Sequence, residues 1–196
     1  MSDFMSTATS VRVTEVLVSY RPGVDCARLT QRLLSTVPDK YLVELESVVL
    51  CSLAEQSRSV RIGTLPRRGR RIKRDRVAGL YHYASRGQKA WIQIFVDNIQ
   101  FPAWYLSWIG PTSEMAFGSV LYHELGHHAH TIRPEYREKE DVADQWSDRF
   151  LLNHLKKKHR FWYSALWCAA KLGKLLFTSK LKSRIRRLTS ATPGGR

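Results

Sequence analysis

His123-Glu124-Leu125-Gly126-His127 is the most informative stretch of this sequence, and it reads H-E-x-x-H. In a helix, residues four apart lie on one face, so His123 and His127 can direct both imidazoles at one ion. Neutral imidazole is a good Zn²⁺ ligand. Glu124 follows the first histidine directly, where its carboxylate can take a proton from a water that the metal activates. The stretch therefore predicts a helix that carries two metal ligands and a general base.

The residues before the motif favour a buried helix. Residues 116–122 are mostly apolar, as expected for a helix that packs inside a domain. Thr112 or Ser113 can cap its N-terminus, since a side-chain hydroxyl there satisfies a free backbone N–H. The alternative is a surface helix that carries two histidines by chance, and the apolar approach disfavours it.

A third metal ligand is predicted downstream, on a helix from about residue 135 to 155. Glu140 and Asp144 are four residues apart, so they share a helical face. Glu140 can bind the metal, while Asp144 can accept the N–H of a ligating histidine and so fix its tautomer. The alternative is a solvated charged face, which fits Trp146 poorly. Glu138 is the alternative third ligand.

Glu140-Asp141-Val142-Ala143-Asp144 reads E-x-x-A-D, and the two motifs together resemble the gluzincin pattern of thermolysin-like zinc peptidases. The short gap and small chain resemble the minimal intracellular metallopeptidases of the ImmA/IrrE type, or a SprT-like core. The resemblance covers residues 79–155 and implies an α+β, zincin-like domain with a small mixed sheet. It also implies Zn²⁺ as cofactor, Glu124 as catalytic base, the ligands His123, His127 and Glu140, and Asp144 as the acid behind a ligating histidine.

The residues after the motif exclude the metzincin pattern, H-E-x-x-H-x-x-G-x-x-H. His130 stands at its glycine position and Arg133 at its last histidine. His130 lies three residues beyond His127, where it is either a substrate contact or, as we favour, part of a polar helix end. His128 points about 100° away from the ligand face, so we expect it to face solvent.

Length and cysteine usage predict one intracellular domain. The 196 residues suit a single core, here placed at residues 1–155, with a basic amphipathic helix and tail at residues 156–196. Three scattered cysteines indicate neither a disulfide framework nor a cysteine zinc module. Residues 1–10 contain no basic region followed by an apolar one, so we expect no secretory signal and a cytoplasmic protein.

The net charge of +15 is concentrated in two segments. Residues 58–76 are rich in arginine, and no Asp or Glu follows Asp148. Such segments are typical of proteins that bind nucleic acid or anionic membrane, here through residues 58–76 and 156–187. The alternative is a solubilising surface without a partner.

Local patterns predict the other elements. Residues 11–18 alternate as in a strand, and Asp25 can cap a helix that ends near Ser35. Residues 42–53 predict a short helix and then a strand, and residues 57–76 predict an exposed loop or ribbon. Residues 77–83 and 90–96 predict a hairpin. The resemblance implies that this hairpin precedes the metal-bearing helix and that its edge strand pairs with extended substrate.

The expected activity is zinc-dependent hydrolysis of a peptide bond, in a specific intracellular protein. Two alternatives stay open: a nucleic-acid-associated protein, and a zinc-bound interaction protein without catalysis. Glu124 argues against the second, because a structural site needs no such carboxylate and is usually closed by a fourth ligand. The group that stabilises the oxyanion is left open among Tyr81, His82, Tyr122 and Tyr136.

Overall fold

The computed structural model shows a mixed α+β fold with a small mixed sheet and helices, two of which are 21 and 20 residues long. It describes residues 11–56, 64–67, 70–73, 77–85, 87–101, 111–132 and 139–164. Its core lies between the sheet and the helices, where Val48, Ile92, Ile94 and Leu121 are fully buried. The expectation of an α+β fold with a small mixed sheet is confirmed.

Among the residues that the structure describes, the main sheet has four strands in the order β1-β2-β6-β5. Strands β1, β2 and β6 are parallel, and β5 pairs antiparallel with β6 at one edge. Side chains alternate between the two faces, so Val48 and Leu50 point into the core while Val49 is only partly buried. The strands are β1 (Arg12–Val16), β2 (Leu45–Cys51), β5 (Gly79–His82) and β6 (Ala90–Phe95). Strands β3 (Thr64–Arg67) and β4 (Arg70–Lys73) form a separate antiparallel ribbon.

Helix α1 (Cys26–Leu34) connects β1 to β2. The carboxylate of Asp25 accepts a hydrogen bond from the Arg28 backbone N–H at 2.8 Å, so the predicted cap is confirmed. The short helix predicted at the start of 42–53 is wrong in position, because a 3₁₀ turn lies earlier, at Asp39–Tyr41. Pro38 immediately precedes that turn, and its fixed φ favours the position.

Helices α2 (Thr112–Ile132) and α3 (Lys139–Lys158) pack against each other and carry both sequence motifs. Helix α2 begins at Thr112, so the two candidate capping residues lie inside its first turn. Its buried side chains include Phe117, Leu121 and Leu125. A helix with apolar residues on several faces must be covered on several sides. The sheet, α1 and α3 all contact α2.

The predicted strands 11–18, 77–83 and 90–96 are confirmed, each within a few residues of its expected bounds. The segment 57–76 contains the two-stranded ribbon. Helix α3 continues past residue 155, and residues 160–164 are again helical. The rest of the predicted basic helix and tail, to residue 196, lies outside the described residues. None of the helices that the structure describes has the length and apolar character needed to cross a bilayer.

Candidate metal centre

The two motif histidines lie one turn apart on α2 and face the same space. Their ring centroids are 4.9 Å apart and the ring planes are nearly perpendicular, at 87°. His123 is buried, and the side chain of His127 is 13% exposed. The pair therefore presents two imidazole nitrogens on the side of α2 that faces α3.

Glu140 on α3 completes the group. Its two carboxylate oxygens lie 3.5 Å from His123 Nε2 and 3.6 Å from His127 Nε2. One ligand atom from each of the three residues fits within a mutual distance of 4.8 Å. Glu138 lies outside the described residues. The sequence-predicted ligand set is thus brought together by the fold.

The spacing and chemistry of this group fit a zinc ion. Ligand atoms about 2.0–2.2 Å from a tetrahedral zinc ion lie roughly 3.4 Å from one another. The observed nitrogen–oxygen distances of 3.5 and 3.6 Å match that separation. Two imidazoles and one carboxylate are a donor set that binds zinc while leaving one position for water or substrate.

The glycine in H-E-L-G-H allows the two helices to approach closely enough for this geometry. A methyl group on Gly126 would lie 2.5 Å from the carbonyl oxygen of Ala143 and 2.8 Å from its Cα. Ala143 is fully buried, and in the sequence it lies between Glu140 and Asp144. The absence of a side chain at position 126 therefore brings the acidic face of α3 to the histidines.

Asp144 lies where the sequence predicted it, behind a histidine. Its Oδ1 accepts a hydrogen bond from His123 Nδ1 at 2.8 Å. A carboxylate has no proton to donate at neutral pH, so the imidazole proton resides on Nδ1 and the lone pair on Nε2. Nε2 is the atom that faces Glu140. Asp144 thus holds His123 in the tautomer that metal ligation requires.

Glu124 is 8% exposed and lines a cleft of about 440 Å³ between α2, α3 and the start of β5. A methyl group on Gly79 would lie 2.7 Å from its Cγ and 2.9 Å from its Oε1. Glycine at position 79 therefore gives the Glu124 carboxylate its space beside the edge strand. His123 lines the same cleft, so the predicted base and one predicted ligand share one solvent-connected volume.

The prediction that His128 faces solvent is wrong. His128 is buried, with only 2% of the residue exposed. Its Nε2–H donates to the Val43 carbonyl at 2.9 Å, which leaves Nδ1 to accept from the Tyr81 hydroxyl at 3.0 Å. Burial lowers the pKa of His128, although the Val43 bond opposes that shift. Rotation away from the ligand face turns this residue toward β5 and not toward water.

Three candidates for the oxyanion-stabilising group can now be placed. Tyr122 is fully buried and donates to the Leu33 carbonyl at 3.0 Å, so it cannot reach the cleft. The His82 ring stacks on the Trp91 ring, with the ring centroids 3.8 Å apart. Because His82 follows Tyr81 directly in β5, the two side chains point to opposite faces of the sheet. The Tyr81 hydroxyl is engaged by His128. Tyr136 lies outside the described residues.

A second group, the Glu114 cluster, was not anticipated from the sequence. Glu114 Oε2 accepts from His154 Nε2 at 2.6 Å and from His159 Nε2 at 2.7 Å. Its Oε1 accepts from Arg32 Nη1 at 2.6 Å. His154 Nδ1 lies 3.2 Å from the Thr36 hydroxyl. These are direct hydrogen-bond distances, about 0.8 Å shorter than the zinc-like separation given above.

The Glu114 cluster joins α1, the first turn of α2 and the end of α3. Burial would raise the pKa of Glu114, but the bonds from His154, Arg32 and His159 outweigh it and lower that pKa to about 2. Its three partners are 40 to 82 residues away in sequence. No local spacing in the sequence could therefore have indicated that these residues form a cluster. Each of them could be recognised only as a polar residue near a helix end.

Comparison of the chain with protein-family models, with curated proteins and with solved structures gives no significant match.

Proposed function

We propose that this protein is a zinc-dependent peptidase with a zincin-like catalytic domain. The observation that carries the proposal is the position of Glu140, whose two oxygens face His123 and His127 at 3.5 and 3.6 Å. Glu124 lies one residue along the same helix and lines the adjoining cleft. A purely structural zinc site is usually closed by a fourth ligand and needs no carboxylate beside it.

Zinc, when bound, would supply a Lewis acid that polarises the scissile carbonyl and acidifies the attacking water. Glu124 would accept the proton of that water and deliver it to the leaving amine. His123 would be oriented by Asp144 through the 2.8 Å bond to Nδ1. Two packed helices would thereby provide the base, the three metal ligands and the carboxylate of Asp144 that orients the ligand His123.

Strand β5 supports a peptide as the substrate class. In the part of the chain that the structure describes, β5 is an edge strand of the four-stranded sheet. Gly79 at its start lies beside the Glu124 side chain. An extended peptide can add to such an edge through backbone hydrogen bonds. This pairing would hold a scissile bond beside Glu124 without requiring a particular side chain.

The test compares wild-type protein with Glu124→Gln and Glu140→Gln, each incubated with zinc, freed of unbound metal, assayed for bound zinc and then mixed with a random-sequence peptide library. Glu124→Gln should keep its zinc and lose about 10²-fold or more of the cleavage rate, the usual contribution of a general base. Glu140→Gln should lose zinc. Undiminished cleavage by Glu124→Gln would contradict the mechanism, and absence of cleavage by the zinc-loaded wild type would favour a non-catalytic zinc protein.

A further inference from the structure

The cleft beside Glu124 has a distinct electrostatic character. Three carboxylates line it, from Glu124, Asp144 and Asp148, and two hydroxyls, from Ser119 and Ser147. Among the described residues that line it there is no lysine or arginine. The chain as a whole carries a net charge of +15, so this acidic wall contrasts with the composition around it.

Each of the three carboxylates has a different environment. Glu124 is buried and serves as the base in the function proposed above, and Asp144 is bonded to His123. Asp148 is exposed and lies one turn beyond Asp144 on α3, at the mouth of the cleft. The neighbouring cation, Arg149, lies over the Trp146 ring, with its Cζ 4.9 Å from the ring centroid. Asp148 is therefore the carboxylate placed to meet a side chain that enters from solvent.

The edge strand indicates which substrate residue reaches this wall. Gly79, the first residue of β5, lines the cleft together with Val77 and Ala78, which immediately precede the strand. The other end of the strand leads to Tyr83, which is 49% exposed. Antiparallel pairing is the more stable ladder, and it would place the carboxyl side of the substrate at the start of β5. The residue that follows the scissile bond would then enter the acidic cleft.

We propose that Asp148 is the specificity-determining residue of this cleft, and that the cleft takes a lysine or arginine side chain directly after the scissile bond. The inference rests on the proposed peptidase function. The long aliphatic stem of such a side chain can pack along Val77 and Val120, which also line the cleft, while its charged end reaches Asp148. Acidic side chains would meet three like charges and would be rejected.

Three peptide hydroxamates test the proposal without turnover, since the hydroxamate group anchors on zinc and the first side chain after it samples the cleft. The three differ only in that side chain: lysine, the uncharged norleucine, or glutamate. Their dissociation constants are measured by calorimetry on the zinc-loaded full chain. The lysine compound should bind about threefold to fivefold tighter than the norleucine compound, the range for a partly exposed ion pair, and the glutamate compound should bind weakest.

Variants then assign the effect to one residue. Asp148→Asn should remove most of the lysine preference, and Asp148→Lys should reverse the order of the lysine and glutamate compounds. Asp39→Asn, an exposed acid that does not line the cleft, is the matched charge control and should keep the wild-type order. Equal binding of all three compounds, or a lysine preference that survives Asp148→Asn, would overturn this inference alone. Failure of every compound to bind zinc-loaded protein would overturn the proposed function and this inference with it.

Discussion

Replacement of Gly126 by alanine should separate the two motif helices and weaken the metal centre. The added methyl group would lie 2.5 Å from the Ala143 carbonyl oxygen. Helix α3 must then move back by about 0.8 Å to reach the roughly 3.3 Å at which a carbon and a carbonyl oxygen meet without repulsion. Since Glu140 and Asp144 flank Ala143, both acids would move with it.

The displacement can be translated into two measurable losses. The Glu140–imidazole distances of 3.5 and 3.6 Å would grow to about 4.3 Å, well beyond the roughly 3.4 Å between ligands of one tetrahedral zinc ion. We expect zinc affinity to fall about 10- to 100-fold, the range found when the support of a metal ligand is removed. Overpacking costs about 1–3 kcal/mol, and the better helix propensity of alanine offsets about 1 kcal/mol of it.

Competition with a chromophoric chelator measures the zinc affinity, and urea unfolding of the metal-free protein measures the stability. Gly118→Ala is the matched control on the same helix, because its methyl group would meet the Leu151 and Leu33 side chains only at 3.4 Å. That control should keep zinc affinity and gain up to about 1 kcal/mol of stability. Wild-type zinc affinity and stability in Gly126→Ala would refute the close-crossing argument.

Four further outcomes follow from the hydrogen bonds of Asp144, Glu114 and His128. Asp144→Ala should lower zinc affinity about 10- to 100-fold without unfolding the protein, and an unchanged chelation midpoint would make Asp144 an ordinary surface acid. Glu114→Ala should destabilise the protein by about 1–3 kcal/mol, because the fully buried His154 Nε2 loses its hydrogen-bond acceptor; an unfolding free energy within error of wild type would contradict this. The pKa of Glu114, lowered from its ordinary 4.5 to about 2, gives stability that is present above pH 4.5 and lost as pH falls toward 2, so Glu114→Gln should flatten the acid limb of a stability–pH profile. Burial lowers the pKa of His128, so stability should also fall as pH drops through its unfolded value of about 6.5, and His128→Gln should remove that step.

The parts of the site that follow helical periodicity could be predicted from the sequence. His123 and His127, and again Glu140 and Asp144, are four residues apart, so their common faces depend only on local backbone geometry. The strands were predictable for the same reason, since alternation of two residues is also local. What the sequence lacked was the relative placement of the two helices, which rests on the contact between Gly126 and Ala143.

His128 shows where local reasoning failed. Helical geometry predicted correctly that the His128 side chain points away from the metal face. It could not predict that another part of the fold covers that side of the helix. Strand β5 covers it, and Tyr81 and the Val43 carbonyl satisfy its two nitrogens. The Glu114 cluster was missed for a related reason, because Arg32, His154 and His159 become neighbours only after three helices pack.

In the proposed metal centre, one zinc ion is held by His123, His127 and Glu140, with Glu124 outside its ligand sphere. X-ray absorption at the zinc edge, combined with the metal content of full-length protein purified without added zinc, tests it most directly. We expect one zinc per chain with imidazole nitrogen and carboxylate oxygen neighbours, lost in His123→Ala and His127→Ala and retained in Glu124→Gln. Protein without zinc, full zinc content in both histidine variants, or loss of zinc in Glu124→Gln would contradict it.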